Sequence, residues 1–405
     1  MSYFKKAFKG ITWMGLLRIS TRLLVLIKLA VLARLLDPAD FGIFGIGSLV
    51  LALLEMLTET GITIILIQMK ENYQKYLDSA WVISIIRGII ISLFLLILSY
   101  PISHFFNSPK SLQILLFLSI LPFIKGFINP SIIKYQKYLN FKKEFYLRLL
   151  LFIIDTLTVI VIAYPTRSAI SLVFGMICAS IVELFISFKF IKPTPKFIYD
   201  INILKNILKR GKWITLAGIF DYIFHYGDDI IVGKILGTYS LGLYQVSYKF
   251  STLPISESGE IINKVVFPIF STISNDKLRL KKAFIKVLLS TTLISTLFAI
   301  FLFIFAVPLT EIILGQKWLY IIPSLKILLI FGVLRSISNS ITTLFFAVRK
   351  QEYITLINLF SILFLSITIY PFVVKYGIIG AALSALLGTI MSIPLLYILV
   401  RKVFN

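Results

Sequence analysis

The chain has 405 residues, of which 58% are hydrophobic and 15% are charged, and its Lys and Arg outnumber Asp and Glu by 41 to 18, a formal net charge of +23. A soluble domain has about 45–50% apolar and about 25% charged residues, so this composition excludes an ordinary soluble fold. Apolar runs of about 20 residues, enough to cross a bilayer core as a helix, recur along the whole length. The sequence predicts an all-α integral membrane protein.

The apolar runs predict twelve membrane-spanning helices in chain order. Their approximate bounds are 11–33, 41–68, 77–104, 111–134, 145–165, 169–190, 212–236, 241–270, 283–307, 318–347, 353–373 and 377–400. The loops after the even-numbered spans are rich in Lys and Arg, and those after the odd-numbered spans hold few. By the positive-inside rule, both termini face the cytoplasm. The same rule accounts for the basic excess, so no nucleic-acid partner is needed to explain it.

Part of the first half recurs in the second half. The matching pairs are Trp13 with Trp213, Leu36 with Leu236, Gly42 with Gly242, SLQILL (111–116) with SLKILL (324–329), and Tyr164-Pro165 with Tyr370-Pro371. A duplicated half with six spans enters the membrane in the same direction both times, which is typical of transporters built from parallel repeats. We therefore expect two pseudo-symmetric six-helix bundles, 1–195 and 212–405, joined by a basic cytoplasmic connector at 196–211.

Cations lie inside predicted spans of both halves, most of them in the first half. Arg18 and Arg22 are one turn apart on one face of the first span, Lys28 lies on another face, and Arg335 is deep in the tenth span. A charge at mid-depth costs roughly 2.5 kcal/mol or more unless it is paired or hydrated. These residues therefore line a wet cavity or pair across helices, and both interpretations remain open.

An acidic seam marks the seventh span. Asp221, His225, Asp228 and Asp229 lie at i, i+4, i+7 and i+8, so a helix places all four on one face. The seam must face protein or water, and it supplies candidates for binding a coupling Na+ or H+. The alternatives are ion pairs such as Arg18 or Arg22 with Asp221 or Asp228, and a packed histidine at 225.

The sequence has none of the common catalytic motifs. GxxxxGK[ST], HExxH and GxSxG are absent, and the single Cys178 permits no intrachain disulfide. We therefore expect a protein that is not an enzyme and that uses no cofactor or metal.

Three segments resemble a known family. They are LARLLDPADFGIFGIGSLVLALLEMLTETGI (32–62), DDIIVGKILGTYSLGLYQVSYKF (228–250) and LGQKW (314–318). These segments resemble the Wzx-type oligosaccharide flippases, polysaccharide biosynthesis proteins of the multidrug/oligosaccharidyl-lipid/polysaccharide exporter superfamily. The resemblance implies a MATE/MOP-like fold in the plasma (inner) membrane of a bacterium or archaeon.

The resemblance also implies a substrate, a polyprenyl-diphosphate-linked oligosaccharide of an O-antigen, capsule or exopolysaccharide, which moves from the inner to the outer leaflet by alternating access. Arg18 and Arg22, helped by Lys28 and Arg335, would then contact the diphosphate, because guanidinium groups bind phosphate oxygens in pairs. Partners would be membrane lipid, glycosyltransferases and a polysaccharide polymerase. Two alternatives within the superfamily are a multidrug or organic-cation antiporter and a lipid II-type flippase.

Overall fold

The computed structural model describes the backbone of residues 3–68 and 73–404. Within these ranges, side chains are not described at 3–11, 64–65, 68, 73, 202, 204–217, 220–221, 253–254, 256–265 and 268. The described backbone is helical, with short connections and no strand. The chain divides into two compact units, with the boundary between Tyr222 and Ile223.

The first unit contains nine helices and the beginning of a tenth. They are α1 Tyr3–Leu35, α2 Pro38–Leu57, α3 Ile62–Gln68, α4 Tyr73–Phe105, α5 Pro109–Leu118, α6 Ile120–Gly126, α7 Lys134–Lys137, α8 Phe141–Thr166, α9 Ile170–Phe190 and α10 Ile201–Thr272. A short 3-10 turn, Pro130–Ile133, precedes α7. The first arm of α10 begins within the predicted connector and runs on past the unit boundary.

The second unit contains the rest of α10 and five further helices. These are α11 Lys277–Ile304, α12 Ala306–Ile313, α13 Ile322–Ala347, α14 Gln351–Tyr376 and α15 Ile378–Phe404, with a 3-10 turn at Gln316–Ile321. The backbone leaves helical geometry at Gly237, with φ 78° and ψ −178°, and this splits α10 into arms 201–236 and 238–272.

Nine helical stretches in the described ranges are long and apolar enough to cross a membrane. The three other predicted spans fall on α1 and on the two arms of α10, which are also helical. The sequence places the cationic pair on α1 and the acidic seam on the first arm of α10. The chain is a multi-pass membrane protein.

Two predicted spans are interrupted. The second span breaks between Leu57 and Ile62, where the Thr58 hydroxyl donates to the Leu54 carbonyl at 2.7 Å and Gly61 takes a positive φ of 66°. The fourth span is divided into α5, α6 and the 3-10 turn. Apolar periodicity predicts the extent of these spans, but a local side-chain bond and a glycine turn set where the helix stops.

Residues with positive φ recur at matching positions in the two units. Asn107, Leu139 and Arg167 have positive φ in the first unit, and Gly315, Arg349 and Gly377 have positive φ about 210 residues further on. The break at Gly237 likewise lies 200 residues after Asp37, which precedes the first turn of α2. Helix ends that recur at a nearly constant offset support the duplication read from the sequence.

Candidate functional site

Arg18 and Arg22 lie on one helical stripe of α1. Leu29, Leu32 and Ala33 continue the same helical stripe and are buried, at 8%, 1% and 0% exposure. A different stripe of α1 consists of exposed apolar side chains: Leu16, Ile19, Leu23 and Ile27, at 45–56% exposure. Arg18 is half-buried and Arg22 is exposed. The stripe that carries buried apolar side chains further along α1 thus carries two arginines at positions 18 and 22.

Helix α1 is fixed against α8 on either side of the two arginines. The Trp13 ring lies 5.2 Å from the Phe145 ring and 5.9 Å from the Tyr146 ring. Lys28 Nζ is 2.7 Å from Asp155 Oδ2, in a pair whose side chains are 19% and 16% exposed. Lys28, predicted to assist diphosphate binding, therefore has a carboxylate partner in its own unit.

A polar cleft of about 420 Å³ opens in the first unit, which we call the unit 1 cleft. Its lining residues are Glu59, Thr60, Ile62, Thr63, Leu66, Ser84, Arg87, Lys125, Ile128, Asn129, Pro130, Ile132, Ile133, Gln136, Arg148 and Glu183. Ten of these sixteen lining residues have charged, amide or hydroxyl side chains. The cations that the sequence places inside the third, fourth and fifth spans meet here.

Each cation of the unit 1 cleft has an acidic partner. The pairs are Arg87 Nη2 with Glu59 Oε2 at 3.1 Å, Lys125 Nζ with Glu55 Oε1 at 3.5 Å, and Arg148 Nη1 with Glu183 Oε1 at 3.0 Å. Arg87 also donates to the Glu55 carbonyl at 2.6 Å and to the Thr58 hydroxyl at 3.0 Å. The break between α2 and α3 is thus held by Arg87.

Two glycines bring α4 and α6 together at the cleft. A Cβ on Gly88 would lie 2.4 Å from the Pro122 carbonyl oxygen, and one on Gly126 would lie 2.8 Å from the Ser84 carbonyl oxygen. Arg87 and Lys125 immediately precede these glycines. Small residues allow helix backbones to approach closely in membranes. The glycine contact therefore sets the positions from which both cations reach the cleft.

In the second unit, Asp228 and Asp229 accept hydrogen bonds from neutral side chains. Tyr244 Oη donates to Asp228 Oδ2 at 2.6 Å, and Gln245 Nε2 donates to Asp229 Oδ2 at 3.2 Å. Asp228 is 5% exposed and Tyr244 is fully buried. Two adjacent carboxylates on the first arm of α10 are thus held by two adjacent residues of its second arm.

Arg335 lies in the core of the second unit. It donates to the Tyr248 hydroxyl, and its guanidinium carbon lies 5.8 Å from the Phe224 ring and 5.7 Å from the Phe331 ring. A cavity of about 10 Å³, close to the volume that one water needs, is lined by Arg335 together with Asp228. The structure therefore places the predicted substrate cation Arg335 beside part of the predicted acidic seam.

The other two residues of the acidic seam, His225 and Asp221, have fewer described contacts. His225 is half-buried, with its ring 5.2 Å from the Phe224 ring. The side chain of Asp221 lies outside the described residues, so its place in the seam stays a prediction. Among the described side chains, no group of three or more His, Cys, Asp or Glu is arranged to hold a metal ion.

Sequence reasoning did not single out Tyr244, Gln245 and Tyr248, the neutral residues that bind the charged groups of the second unit. Tyr244 and Tyr248 are one turn apart, so a helix puts both hydroxyls on one face. That spacing, inside a span opposite an acidic seam, is the signal that could have found them.

Comparison with known proteins places these features in context. A family model described as polysaccharide biosynthesis protein matches residues 31–323. The lipopolysaccharide biosynthesis protein WzxC of Escherichia coli (strain K12) is 25% identical over 404 residues, which cover 99% of this chain and 82% of WzxC.

Two solved structures share the architecture. The lipid II flippase MurJ in an inward closed conformation matches with a TM-score of 0.79 at 18% identity, over 96% of this chain and 88% of MurJ. An inward-facing multidrug resistance MATE family transporter of the MOP superfamily matches with a TM-score of 0.71 at 16% identity, over 95% and 94% of the two chains. The chain therefore has a MATE/MurJ-like fold, as the sequence resemblance implies.

Proposed function

The chain belongs to the polysaccharide biosynthesis protein family, and from that membership we propose that it moves a polyprenyl-diphosphate-linked oligosaccharide from the cytoplasmic to the outer leaflet of a bacterial inner membrane. A sugar diphosphate cannot cross hydrocarbon without a hydrated polar path, whereas the polyprenyl tail can remain in lipid. Alternating access of two helix bundles supplies such a path.

The observation that supports the proposal is that Arg18 and Arg22 share a helical stripe with the buried Leu29, Leu32 and Ala33, apart from the stripe of exposed apolar side chains on α1. Two guanidinium groups one turn apart match the oxygens of a diphosphate. Lys28 and Arg335 remain further substrate-binding candidates, and their bonds to Asp155 and Tyr248 would have to open for them to bind substrate.

The proposed topology has twelve spans: the nine apolar stretches, α1 and the two arms of α10. With the basic loops inside, both termini are cytoplasmic. We retain 1–195 and 212–405 as pseudo-symmetric bundles and 196–211 as their connector. The positive-φ residues that recur about 210 residues apart support this arrangement.

We assign ion coupling to Asp228 and Asp229, with Asp221 and His225 as further candidates. A carboxylate held by a phenol or an amide can exchange that neutral donor for Na+ or H+ as the carrier resets. The 10 Å³ cavity at Asp228 is of the size of one small ion or water. Glycosyltransferases that build the substrate and a polymerase that consumes it are the expected partners.

Accumulation of lipid-linked oligosaccharide in the inner leaflet of cells that lack the protein tests the proposal. Wild type should clear this pool, and Arg18→Ala and Arg22→Ala should not. Arg279→Ala, at an exposed arginine in the first turn of α11, should clear it like wild type. Full rescue by the double variant Arg18→Ala/Arg22→Ala would contradict the proposal. A multidrug antiporter would leave the pool unchanged on deletion and alter resistance to organic cations instead.

A further inference from the structure

We propose that the unit 1 cleft is a binding site for sugar hydroxyls, which holds the oligosaccharide of the substrate while the protein is open to the cytoplasm. This inference rests on the proposed function and adds a subsite to it. The diphosphate is assigned to Arg18 and Arg22, and the cleft is assigned to the neutral, hydroxyl-rich part of the same molecule.

The size of the cleft suits a ligand. Its volume of about 420 Å³ falls within the roughly 300–1,000 Å³ of small-molecule pockets. A cavity that served only to hydrate a few charges would not need that room. The lining also supplies donors and acceptors in alternation: guanidinium and ammonium groups, carboxylates, amides and hydroxyls.

The charge pattern favours sugar over phosphate. Each of Arg87, Lys125 and Arg148 already has a carboxylate within 3.5 Å, so a phosphate that approached the cation would be repelled by its partner. A sugar hydroxyl both donates and accepts. It can therefore accept from the cation and donate to the carboxylate of one pair without breaking that pair.

A buried hydroxyl in the lining lacks a partner. Thr60 is 8% exposed, and its Oγ1 has no hydrogen bond among the described residues. A buried polar group without a hydrogen bond lowers the free energy of unfolding by about 1–3 kcal/mol, so such groups are rare in the cores of native proteins. Thr60 lines the unit 1 cleft, where a ligand hydroxyl can supply the bond.

The cleft lies at the basic end of the first unit. Lys137 Nζ donates to the carbonyl of Leu66, a lining residue, at 3.0 Å. Lys137 belongs to the loop between the fourth and fifth predicted spans, which the positive-inside rule assigns to the cytoplasm. The oligosaccharide is built on that side, so the cleft is where the unflipped substrate first presents its sugars.

The test compares two lipids in binding to the full-length protein in lipid nanodiscs, measured by native mass spectrometry. One probe is polyprenyl diphosphate without sugar, and the other is the lipid-linked oligosaccharide extracted from cells that lack the protein. Thr60→Val removes the hydroxyl and keeps the shape, and Glu183→Gln removes one acceptor charge. Thr310→Val is the matched control, since Thr310 Oγ1 is likewise buried without a hydrogen bond among the described residues and does not line the cleft.

We expect Thr60→Val to weaken binding of the sugar-bearing lipid about fivefold, the factor that one net hydrogen bond of roughly 1 kcal/mol gives. Glu183→Gln should weaken it about tenfold, because bonds to a charged acceptor are stronger. Thr60→Val should not change binding of polyprenyl diphosphate, and Thr310→Val should change neither lipid. Thr60→Val should unfold at or above the wild-type temperature, since it removes a buried hydroxyl that makes no bond in the described structure.

Two results would overturn the subsite and leave the proposed function in place. One is unchanged affinity for the sugar-bearing lipid in both cleft variants; the other is an equal loss for both lipids. In either case Arg18→Ala should still weaken both lipids. If wild type binds neither lipid, or Arg18→Ala and Arg22→Ala bind both like wild type, the proposed function fails and the subsite fails with it.

Discussion

The two units hold their intramembrane carboxylates in different ways. In the first unit, four acids are bound by cations: Asp155 by Lys28, Glu59 by Arg87, Glu55 by Lys125 and Glu183 by Arg148. In the second unit, Asp228 and Asp229 accept from Tyr244 and Gln245, and the cation Arg335, which lines a cavity with Asp228, donates to a tyrosine. Direct ion pairs thus hold the four acids of the first unit, and neutral donors hold the acidic pair of the second.

This difference predicts that substitutions in the two units change different properties of the protein. An ion pair between helices fixes their register, and its loss leaves a buried charge unpaired. A carboxylate that is bound by a phenol or an amide is held in place, yet it still lacks a neutralising charge from that donor. The first unit is therefore expected to respond to substitution mainly in stability, and the second mainly in ion dependence.

The largest expected effect is in the first unit. Asp155→Ala should lower the free energy of unfolding by about 3 kcal/mol, because it leaves Lys28 without its carboxylate in a largely buried place. Thermal unfolding of the purified protein in detergent measures the loss. The double variant Lys28→Met/Asp155→Leu should recover most of it, and a double variant as unstable as the single one would contradict the ion-pair interpretation.

The second-largest loss in the free energy of unfolding is expected at the glycine contact beside the unit 1 cleft. Gly88→Ala should cost about 2 kcal/mol, because the added Cβ would lie 2.4 Å from the Pro122 carbonyl oxygen and force α4 and α6 apart. Gly15→Ala is the control, since a Cβ there meets nothing within 4 Å, and it should be neutral or slightly stabilising. Equal unfolding temperatures for the two variants would show that α4 and α6 do not need this approach.

In the second unit, Asp228→Asn should act on transport. The amide oxygen can still accept from Tyr244, but the amide nitrogen cannot accept from the Asp229 backbone N–H, which donates to the other Asp228 oxygen at 2.9 Å, so the unfolding temperature should fall only slightly. The lost charge should slow flipping about tenfold and abolish its dependence on Na+ or on a proton gradient, as measured by lipid-linked oligosaccharide flipped in vesicles. Asp276→Asn, at an exposed helix start, is the control. Unchanged ion dependence in Asp228→Asn would remove Asp228 from the coupling site.

The smallest effect is expected outside both clusters. Arg279 pairs with Asp276 at 3.1 Å, but its side chain is 80% exposed. An exposed pair at this spacing contributes about 0.5 kcal/mol or less, so Arg279→Ala should leave both stability and transport close to wild type. A large loss in this variant would mean that the assays report surface charge in general.

Much of the architecture follows from the sequence. Bilayer thickness and helix rise fix how long an apolar run must be, so the membrane class and the apolar stretches are local properties of the chain. The interior placement of Arg18 and Arg22 stays a prediction, made because lipid does not tolerate charge. The predicted end of the second span at residue 68 was too late, since the helix stops at Leu57, where the Thr58 hydroxyl bonds back to the Leu54 carbonyl and Gly61 takes a positive φ.

The sequence alone determined a helical membrane protein with a repeated half, a cationic pair on α1 and an acidic pair on α10. The tertiary structure decided the partner of each charge and the existence of the unit 1 cleft. The physical reason is distance along the chain. Lys28 meets Asp155 across 127 residues and Lys125 meets Glu55 across 70, and no periodicity within one helix can specify a partner on another.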